Sequence, residues 1–530
     1  MDVPSELTGH GVKIAIVDIT FPNHPDISSS GVRNTYIIRI GRGVVEPELM
    51  NADHTGPWET GIHGLQTAAA AAGTGLLSNG KYAGIAPDAE LYLISAHNTG
   101  PEDFALDSAL EWVRDIGWKL GIRGVLVSFN TRPHPPLLPW QLENSAILCE
   151  QLSDLGILVV SCTGNSADSG SLCSLSCAPS VLSVGGIVIP NDGKIANASS
   201  YHGSRGTTFC GKWVPEIFAP TGNLVLPWGN SRMLAAHPYK DIDDVPEGYA
   251  RNEGTSFAGP IVLGAAACLW QAHPEWTNEQ VKHALVKGAF KSNHWSDLRA
   301  GVVSVRTSVS LCEYEPDVEP SSFARHRAIN SMPEEDLPKI GTVDATTNVE
   351  AIFSLATPFS PHGLRMLSDA FSSESPIVRS AAMCKSAQGE HQLDDTYLTS
   401  ALQHSNAKVR SAALYHILCR PTLRSHYVEA IIDRFEDEDL DVSLLAIQIS
   451  GITKLPLFVS PLVTGLRKEA LADRDIHFWG RIISLRQVTN QFFDPEPPFQ
   501  MVECGNSNVH RQRCLKLAEQ WEEWHKSSVH

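Results

Sequence analysis

Four polar residues in the first half of the sequence have side chains that can together hydrolyse an acyl bond: Asp18, His63, Asn165 and Ser256. A serine hydroxyl attacks a carbonyl once a base removes its proton, and the usual base is a histidine oriented by a carboxylate. An asparagine amide can donate a hydrogen bond to the oxyanion that forms. Taken singly, each residue has a simpler interpretation as a helix cap or a turn residue. The chemistry therefore depends on elements that bring the four together.

The serine lies in the stretch RNEGTSFAGPIVLGAAACLWQA, in which the 19 residues Gly254–Ala272 carry no charge. A run of this length raises the question of a membrane span. Its first half is crowded with glycine, threonine, serine and proline, whereas lipid-facing spans are rich in large aliphatic side chains. The pattern instead predicts a buried core helix that begins near Ser256, with Pro260 in its first turn. The free N–H groups at such a helix start favour a developing anion.

The first third of the chain alternates short apolar runs with helical segments such as SALEWVRDIGWKLG. Continuously apolar strands that alternate with helices predict an α/β fold with a parallel sheet covered on both faces. The predicted strands are Val12–Asp18, Ala89–Ala96, Gly124–Asn130, Gly156–Asn165 and Val181–Ile189. Functional residues of such folds collect at the carboxyl ends of strands, where Asp18 and Asn165 both stand.

Four segments resemble the subtilisin-like serine proteases, in the order Asp, His, Asn, Ser. VKIAIVDITFPNHPDI resembles the segment of the catalytic aspartate, IHGLQTAAAAAG the histidine helix, VVSCTGNSA the strand before the oxyanion asparagine, and GTSFAGP the nucleophile motif. The resemblance covers about residues 8–310 and implies the subtilisin-like fold, a parallel sheet covered by helices. It further implies that Ser256 is the nucleophile, His63 the general base, Asp18 the orienting carboxylate and Asn165 an oxyanion-hole donor.

Two departures from the family pattern lie beside these residues. The family's hydroxyl next to the aspartate is replaced by Ile19, and Thr20 is the candidate substitute. The residues that follow His63-Gly64 are Leu65 and Gln66, in place of the family's threonine and second histidine. The orientation of His63 and Asp18 is therefore the open point of the predicted triad.

The resemblance also implies where a substrate backbone would pair, namely with Val127–Asn130 and Ser161–Gly164. The predicted substrate-binding residues in these segments are Ser128, Phe129, Asn130, Thr163 and Gly164. Phe129 and Asn130 replace the usual Leu-Gly and would alter the rim of the specificity pocket. The alternative is that both simply belong to the strand end and its loop.

No cofactor and no metal site are predicted. Calcium is an alternative, because Asp26 and Asn79 fall near positions that bind calcium in some relatives, although the loop Leu76–Tyr82 differs. The 11 cysteines are scattered and form no paired CxxC pattern, which disfavours both zinc and a disulfide framework. Buried free thiols in a reducing compartment are the preferred interpretation.

The charge balance and the N-terminal sequence bear on partners and compartment. Lys and Arg total 41 against 59 Asp and Glu, a net charge of −18, which disfavours binding to nucleic acid. The N-terminus shows no signal-peptide pattern, so we predict a cytoplasmic protein that does not act at a membrane. The aspartate motif stands almost at the N-terminus, so for a complete sequence we expect no cleaved folding segment and another form of restraint; a trimmed sequence is the alternative.

After a predicted peptidase domain at residues 1–311, the composition changes. Residues 312–349 are rich in proline and charge and predict a linker or surface wrap. In residues 350–490, SPIVRSAAM at 375–383 returns as NAKVRSAAL at 406–414, with looser copies at 439–447 and 473–481. Each copy follows an amphipathic helix, which predicts HEAT-like helical repeats that bind a protein partner. The alternative is a plain helical bundle, and residues 491–530 predict a terminal capping helix.

These observations together predict an intracellular serine endopeptidase whose helical repeats select the protein substrate or regulate activity. If the repeats act only as a selector, deletion of residues 350–530 should leave hydrolysis of a short peptide largely unchanged. The alternative function is a silenced protease fold used as a scaffold, with the helical repeats as the binding platform. Labelling of Ser256 by a reagent for activated serines distinguishes the two.

Overall fold

The computed structural model describes most of the chain. It covers residues 2–40, 46–50, 62–96, 105–129, 137–166, 172–190, 193–228, 245–292, 295, 299–311, 327–493 and 507–528. Two parts follow each other along the sequence: an α/β part that ends near residue 311 and a helical part that begins with the described residues after 326.

The α/β part is built on a sheet of parallel strands. Its strands run in the order β11-β7-β6-β5-β1-β4-β2-β3, with β8 beside β7, and only the β2–β3 and β7–β8 pairs are antiparallel. The bounds are β1 Lys13–Asp18, β2 Thr35–Arg39, β3 Glu48–Leu49, β4 Glu90–Ser95, β5 Ile122–Val127, β6 Leu158–Cys162, β7 Leu182–Val188, β8 Ser199–Ser200 and β11 Ile217–Pro220. Two short antiparallel pairs lie outside this sheet: β9 Gly206–Thr207 with β10 Trp213–Val214, and β12 Leu224–Pro227 with β13 Tyr249–Asn252.

Helices cover both faces of the sheet, as the continuously apolar strands predict. Ile14 and Ile16 of β1 lie in one buried cluster, and Ala15 and Val17 lie in the cluster on the opposite face. The helices of this part are α1 Ile62–Ala72, α2 Leu106–Trp112, α3 Asn144–Asp154, α4 Thr255–Ala272, α5 Asn278–Lys287 and α6 Val305–Val309. Each of the five predicted strands is present, so the predicted fold class is confirmed.

The long apolar helix α4 is a core helix. By length and composition alone it could cross a membrane, but 89% of it is buried inside the fold. It begins at Thr255, so Pro260 is its sixth residue and lies beyond the first turn, not within it as the sequence pattern predicts. Since a proline has no N–H, the carbonyl of Ser256, four residues earlier, lacks its usual partner within the helix.

The C-terminal part consists of packed helices. Their bounds are α7 Ala345–Phe353, α8 Pro361–Phe371, α9 Pro376–Gln388, α10 Asp395–Leu402, α11 Ala407–Leu418, α12 Pro421–His426, α13 Val428–Asp433, α14 Leu440–Thr453, α15 Val459–Leu471, α16 Asp475–Thr489 and α17 Ser507–Ser528. The four copies of the sequence repeat stand at the starts of α9, α11, α14 and α16. The equivalent valines Val378, Val409 and Val442 are all buried, because each faces the neighbouring helices.

The described part of the predicted linker is not a free tether. Ile329 and Leu337 are buried in a cluster with Val349 and Ile352, and α7 crosses the predicted boundary at residue 350. Apolar side chains inside this proline-rich segment therefore anchor residues 327–349 to the helical part. Residues 312–326 lie outside the described residues.

The two parts share an apolar interface. Leu138 of the α/β part is 2% exposed and belongs to the core cluster of the helical part. Phe209, 1% exposed, belongs to a second cluster formed otherwise by residues 329–382. Hydrogen bonds join the same surfaces: the Gln141 amide donates to the Glu350 carboxylate at 3.3 Å, and Lys408 Nζ donates to the Phe209 carbonyl at 3.0 Å. The helical part therefore completes the burial of side chains that belong to the α/β part.

Candidate active site

Asp18 and His63 meet at the carboxyl edge of the sheet. Asp18 is the last residue of β1 and fully buried, and His63 lies in the first turn of α1 with 35% of its side chain exposed. The Nδ1 atom of His63 lies 2.8 Å from Oδ2 and 3.0 Å from Oδ1 of Asp18. With Nδ1–H donating to the carboxylate, Nε2 is the nitrogen left to act as a base.

Two further donors fix the Asp18 carboxylate. The Ile19 backbone N–H donates to Oδ1 at 2.8 Å, and the Thr67 hydroxyl lies 3.0 Å from Oδ2. Thr67 is the hydroxyl partner that sequence reasoning missed, and the buried hydroxyl of the predicted substitute Thr20 has no hydrogen-bond partner among the described residues. The signal for Thr67 is its position four residues after His63, because residues at that spacing share one helix face.

The environment of His63 favours its charged form. Burial lowers the pKa of the imidazole, but the negative charge and the hydrogen bond of Asp18 outweigh that effect, so the pKa of His63 is raised above 6.5. The arrangement therefore stabilises an imidazolium, the species that forms when the histidine takes a proton from a nucleophile.

Ser256 is the second residue of α4. The residue before the helix is Gly254, whose φ of 140° is strained for any other residue, so Gly254 is the N-cap and Ser256 is the second helical residue. The helix-cap interpretation of Ser256 is therefore wrong, because its half-buried hydroxyl does not cap the helix. The next residue, Phe257, has its ring 5.7 Å from the His63 ring, which places the imidazole beside the start of α4.

Asn165 is held against the same helix start. Its Oδ1 accepts two hydrogen bonds from Thr255, from the backbone N–H and from the hydroxyl, both at 2.9 Å. Because the oxygen is occupied in this way, the amide nitrogen is the end of Asn165 that faces away from Thr255, and it lies on the side of Gly254. Asn165 is thus not an ordinary turn residue: it is oriented as a donor next to the start of α4.

A second layer of residues holds the Asn165 loop and Gly254. The Ser204 backbone N–H donates to the Gly164 carbonyl at 2.9 Å, and the Ser204 hydroxyl lies 3.2 Å from both the N–H and the carbonyl of Ser166. On the other side, the Gly254 N–H donates to the Thr221 hydroxyl at 3.1 Å. Sequence reasoning assigned no role to Ser204 or Thr221, since neither stands in a segment with catalytic chemistry of its own.

The predicted substrate-binding segments differ in what they offer. Thr163 uses both backbone groups inside the chain, because its N–H donates to Val184 and its carbonyl accepts from Cys173. Hydrogen bonding of a substrate strand to Thr163 is therefore disfavoured. Thr163 and Gly164 are instead held in place beside Asn165 by hydrogen bonds within the chain. Ser128 is 1% exposed, so its side chain packs inside. Phe129 is partly exposed at the strand end, and Asn130 lies outside the described residues.

Donors of the chain contact the Asp26 carboxylate, one of the two residues considered for calcium. The buried Asp26 carboxylate accepts hydrogen bonds from the Tyr249 hydroxyl and from the Leu77 N–H. Asn79 ends the short helix Leu76–Ser78 in a left-handed conformation, and its N–H donates to the Leu76 carbonyl. A calcium ion takes six to eight oxygen ligands, so its binding at Asp26 would have to displace these two donors, and calcium here stays a prediction.

A carboxylate-oriented histidine, a serine at the start of a buried helix and an amide donor held against that helix are the parts of a serine hydrolase site. The Subtilase family matches residues 9–309 of the chain, more than half of its length. The chain therefore belongs to the subtilase family, and this membership supports a serine peptidase activity. Residues 310–530 lie outside the family match.

Individual relatives match the same part of the chain. Serine protease AprX of Bacillus subtilis (strain 168) is 28% identical over 330 residues, which cover 57% of this chain and 67% of the relative. Subtilisin Savinase of Lederbergia lenta is 27% identical over 305 residues, covering 57% of this chain and 92% of the relative. Among solved structures, fervidolysin from Fervidobacterium pennivorans matches 57% of this chain and 43% of its own length, at 19% identity and a TM-score of 0.41.

Proposed function

We propose that this chain is a serine endopeptidase in which Ser256 attacks the peptide carbonyl and His63 acts as general base. Asp18 orients His63 and stabilises the imidazolium, and His63 then returns the proton to the leaving amine. The Asn165 amide and the backbone N–H of Ser256 bind the tetrahedral oxyanion. The observation that carries this proposal is the Asp18–His63 pair beside the start of α4, where Thr255 also fixes Asn165.

The proposed role of the helical part is to regulate the peptidase. β9 and β10 form a hairpin, Gly206–Val214, whose tip carries Phe209 into the helical part. The hairpin begins two residues after Ser204, which braces the loop of Asn165. A shift of Phe209 in the helical part would therefore move the hairpin and Ser204, and through Ser204 the loop of the proposed oxyanion donor Asn165.

Lys408 offers a direct test of this regulation. Its ammonium donates to the Phe209 carbonyl and lies 5.4 Å from the centre of the Phe209 ring. We expect Lys408→Met to lower kcat on a short peptide by about 2- to 30-fold. This range corresponds to the coupling free energies of about 0.5–2 kcal/mol that single residues contribute between distant sites of a protein. The matched control is Lys468→Met, because Lys468 pairs with Glu436 on an exposed surface of the helical part. Equal activity of the two variants would contradict the regulatory role.

We further propose that the repeated helices act as HEAT-like repeats that bind a protein partner or substrate. Their support is the recurrence of one sequence motif at four helix starts, together with exposed apolar side chains such as Leu457 and Leu471. The Ser256→Ala form of the full chain should trap a protein substrate without cleaving it. A Ser256→Ala chain that carries Leu457→Asp should then bind that same protein less tightly.

The proposed compartment is the cytoplasm. Its support is that Cys149, Cys162, Cys173, Cys177, Cys268, Cys384 and Cys514 are buried free thiols among the described residues. Mass spectrometry of protein isolated under alkylating conditions should find unpaired, reduced cysteines. Cysteines found mainly in disulfides would refute the proposed compartment.

A fluorophosphonate probe tests the catalytic proposal. The full chain should be labelled on Ser256 and should cleave a short peptide, and Ser256→Ala should remove both signals while the melting temperature stays unchanged. The matched control is Ser199→Ala, which removes an exposed serine hydroxyl of β8, keeps the nucleophile and should still be labelled. A folded chain that the probe does not label would instead favour the scaffold function.

A further inference from the structure

The last helix carries a cluster of three potential metal ligands that takes no part in the proposed peptidase. His510 and Cys514 lie one turn apart on one face of α17, and Asp475 is the first residue of α16. The Cys514 side chain is buried among the helices, whereas the His510 and Asp475 side chains are 21% and 55% exposed. The cluster is therefore buried on the side of the Cys514 thiol and open to solvent on the side of His510 and Asp475.

The ligand atoms of these residues converge on one point. His510 Nε2 lies 2.9 Å from Asp475 Oδ1 and 3.6 Å from Cys514 Sγ, and all three ligand atoms lie within 4.8 Å of one another. With metal–ligand bonds of about 2.0 Å to oxygen and nitrogen and 2.3 Å to sulfur, the ligands of a tetrahedral ion lie about 3.3–3.6 Å apart. The two distances from His510 Nε2, 2.9 and 3.6 Å, already lie within about 0.4 Å of those values.

We propose that Asp475, His510 and Cys514 bind one zinc-like divalent transition metal. A thiolate, an imidazole and a carboxylate are the ligand types that zinc takes in proteins, whereas magnesium and calcium prefer oxygen alone. Water would fill the fourth position on the exposed side. Binding displaces the Cys514 thiol proton and the proton that His510 Nε2 holds against Asp475 Oδ1, and the buffer takes up both.

The site would fasten the end of the chain to the rest of the helical part. α17 packs through Leu517, Ala518 and Trp521 against the helices before it. A metal shared by Asp475 of α16 and two residues of α17 would fix the register of that packing. Because a metal that binds only the folded form stabilises it by mass action, the ion should raise the melting temperature of the full chain.

Cobalt titration of the full chain tests the site with a readout independent of protease activity. The protein would carry Ser256→Ala to prevent self-cleavage, and Co²⁺ is the probe because a thiolate ligand gives a near-ultraviolet charge-transfer band. We expect one equivalent of Co²⁺ to produce this band, and excess Zn²⁺ to remove it.

Substitutions identify the ligands. Cys514→Ser should abolish the charge-transfer band, because it removes the thiolate. His510→Gln changes a partly exposed side chain and should weaken Co²⁺ binding at least 10- to 100-fold, since loss of a residue that merely supports a metal ligand already has an effect of this size. The matched controls are Asp473→Asn, which removes a nearby carboxylate that pairs with Arg511, and Cys419→Ser, which removes an exposed thiol elsewhere. Absence of stoichiometric binding, or a band that persists unchanged in a folded His510→Gln protein, would overturn the proposal.

Discussion

Removal of the helical part should destabilise the peptidase domain, because the two parts share buried apolar side chains. In the full chain Leu138 and Phe209 are 2% and 1% exposed, and both are covered by the helical part. A fragment of residues 1–311 exposes them. Burial of one such side chain contributes about 1.5–3 kcal/mol, so the fragment loses about 3–6 kcal/mol, a large share of the ~5–15 kcal/mol that stabilises a typical domain.

The assay is thermal unfolding of the full chain and of the fragment, both with Ser256→Ala, followed by peptide hydrolysis with the serine restored. At about 2 °C per kcal/mol for a domain of this size, the fragment should melt about 6–12 °C below the α/β part of the full chain. Peptide turnover should fall as well. This revises the sequence-based prediction that deletion of residues 350–530 spares peptide hydrolysis, since that prediction assumed a free tether.

Phe209→Ala separates loss of the interface from a general effect of truncation. In the full chain this substitution should cost about 3–5 kcal/mol, because it leaves a cavity in a packed cluster. In the fragment, where the ring is already in water, it should cost almost nothing. The matched control is Leu155→Ala, which changes a side chain that is 41% exposed. A fragment as stable as the full chain, or an equal cost of Phe209→Ala in both proteins, would refute the reasoning.

Three further predictions concern the active site. Asn165→Ala should lower kcat on a short peptide by about 10²–10³ with little change in KM, the loss known for the oxyanion asparagine of a subtilisin, because the amide acts mainly on the oxyanion. Thr67→Val should lower kcat and Thr67→Ser should restore it, since only the serine keeps a hydroxyl for Asp18; equal kcat values for the two variants would argue against this role. The raised pKa of His63 favours the imidazolium, which cannot act as base, so kcat/KM should fall as the pH drops through a midpoint above 6.5. Asp18→Asn should move that midpoint down and lower kcat by about 10⁴, as in a protease with the same triad, whereas an unmoved midpoint would assign the titration to another group.

Much of the peptidase fold could be predicted from the sequence because its signals are contiguous. An uninterrupted apolar run such as Lys13–Asp18 marks a buried parallel strand, and its last residue must stand at the carboxyl edge. The run after Gly254 similarly marks a core helix, and its motif places Ser256 at the start. The subtilase motifs join these elements to a known arrangement, so Asp18, His63 and Asn165 could be located before their distances were known.

The partners of these residues could not be predicted, because they depend on how the elements pack. Thr67 contacts Asp18 across 49 residues of sequence, and Tyr249 contacts Asp26 across 223. The spacing of Thr67 from His63 indicates a shared helix face but does not identify Asp18 as the partner, and no local pattern indicates the contact of Tyr249. The engagement of the Asp26 carboxylate by the Tyr249 hydroxyl therefore became apparent only in the tertiary structure.

The sequence by itself determined the class of the fold, the family and the order of the candidate catalytic residues, since periodicity and motif chemistry act over a few neighbouring positions. Tertiary structure alone decided that the helical part covers Phe209 and that Asp475, His510 and Cys514 converge. Apolar burial is not directional, so a buried phenylalanine specifies that it will be covered but not by which segment. Which segment covers Phe209 depends on how the shapes of the packed helices and strands fit together, and no single stretch of the sequence specifies that fit.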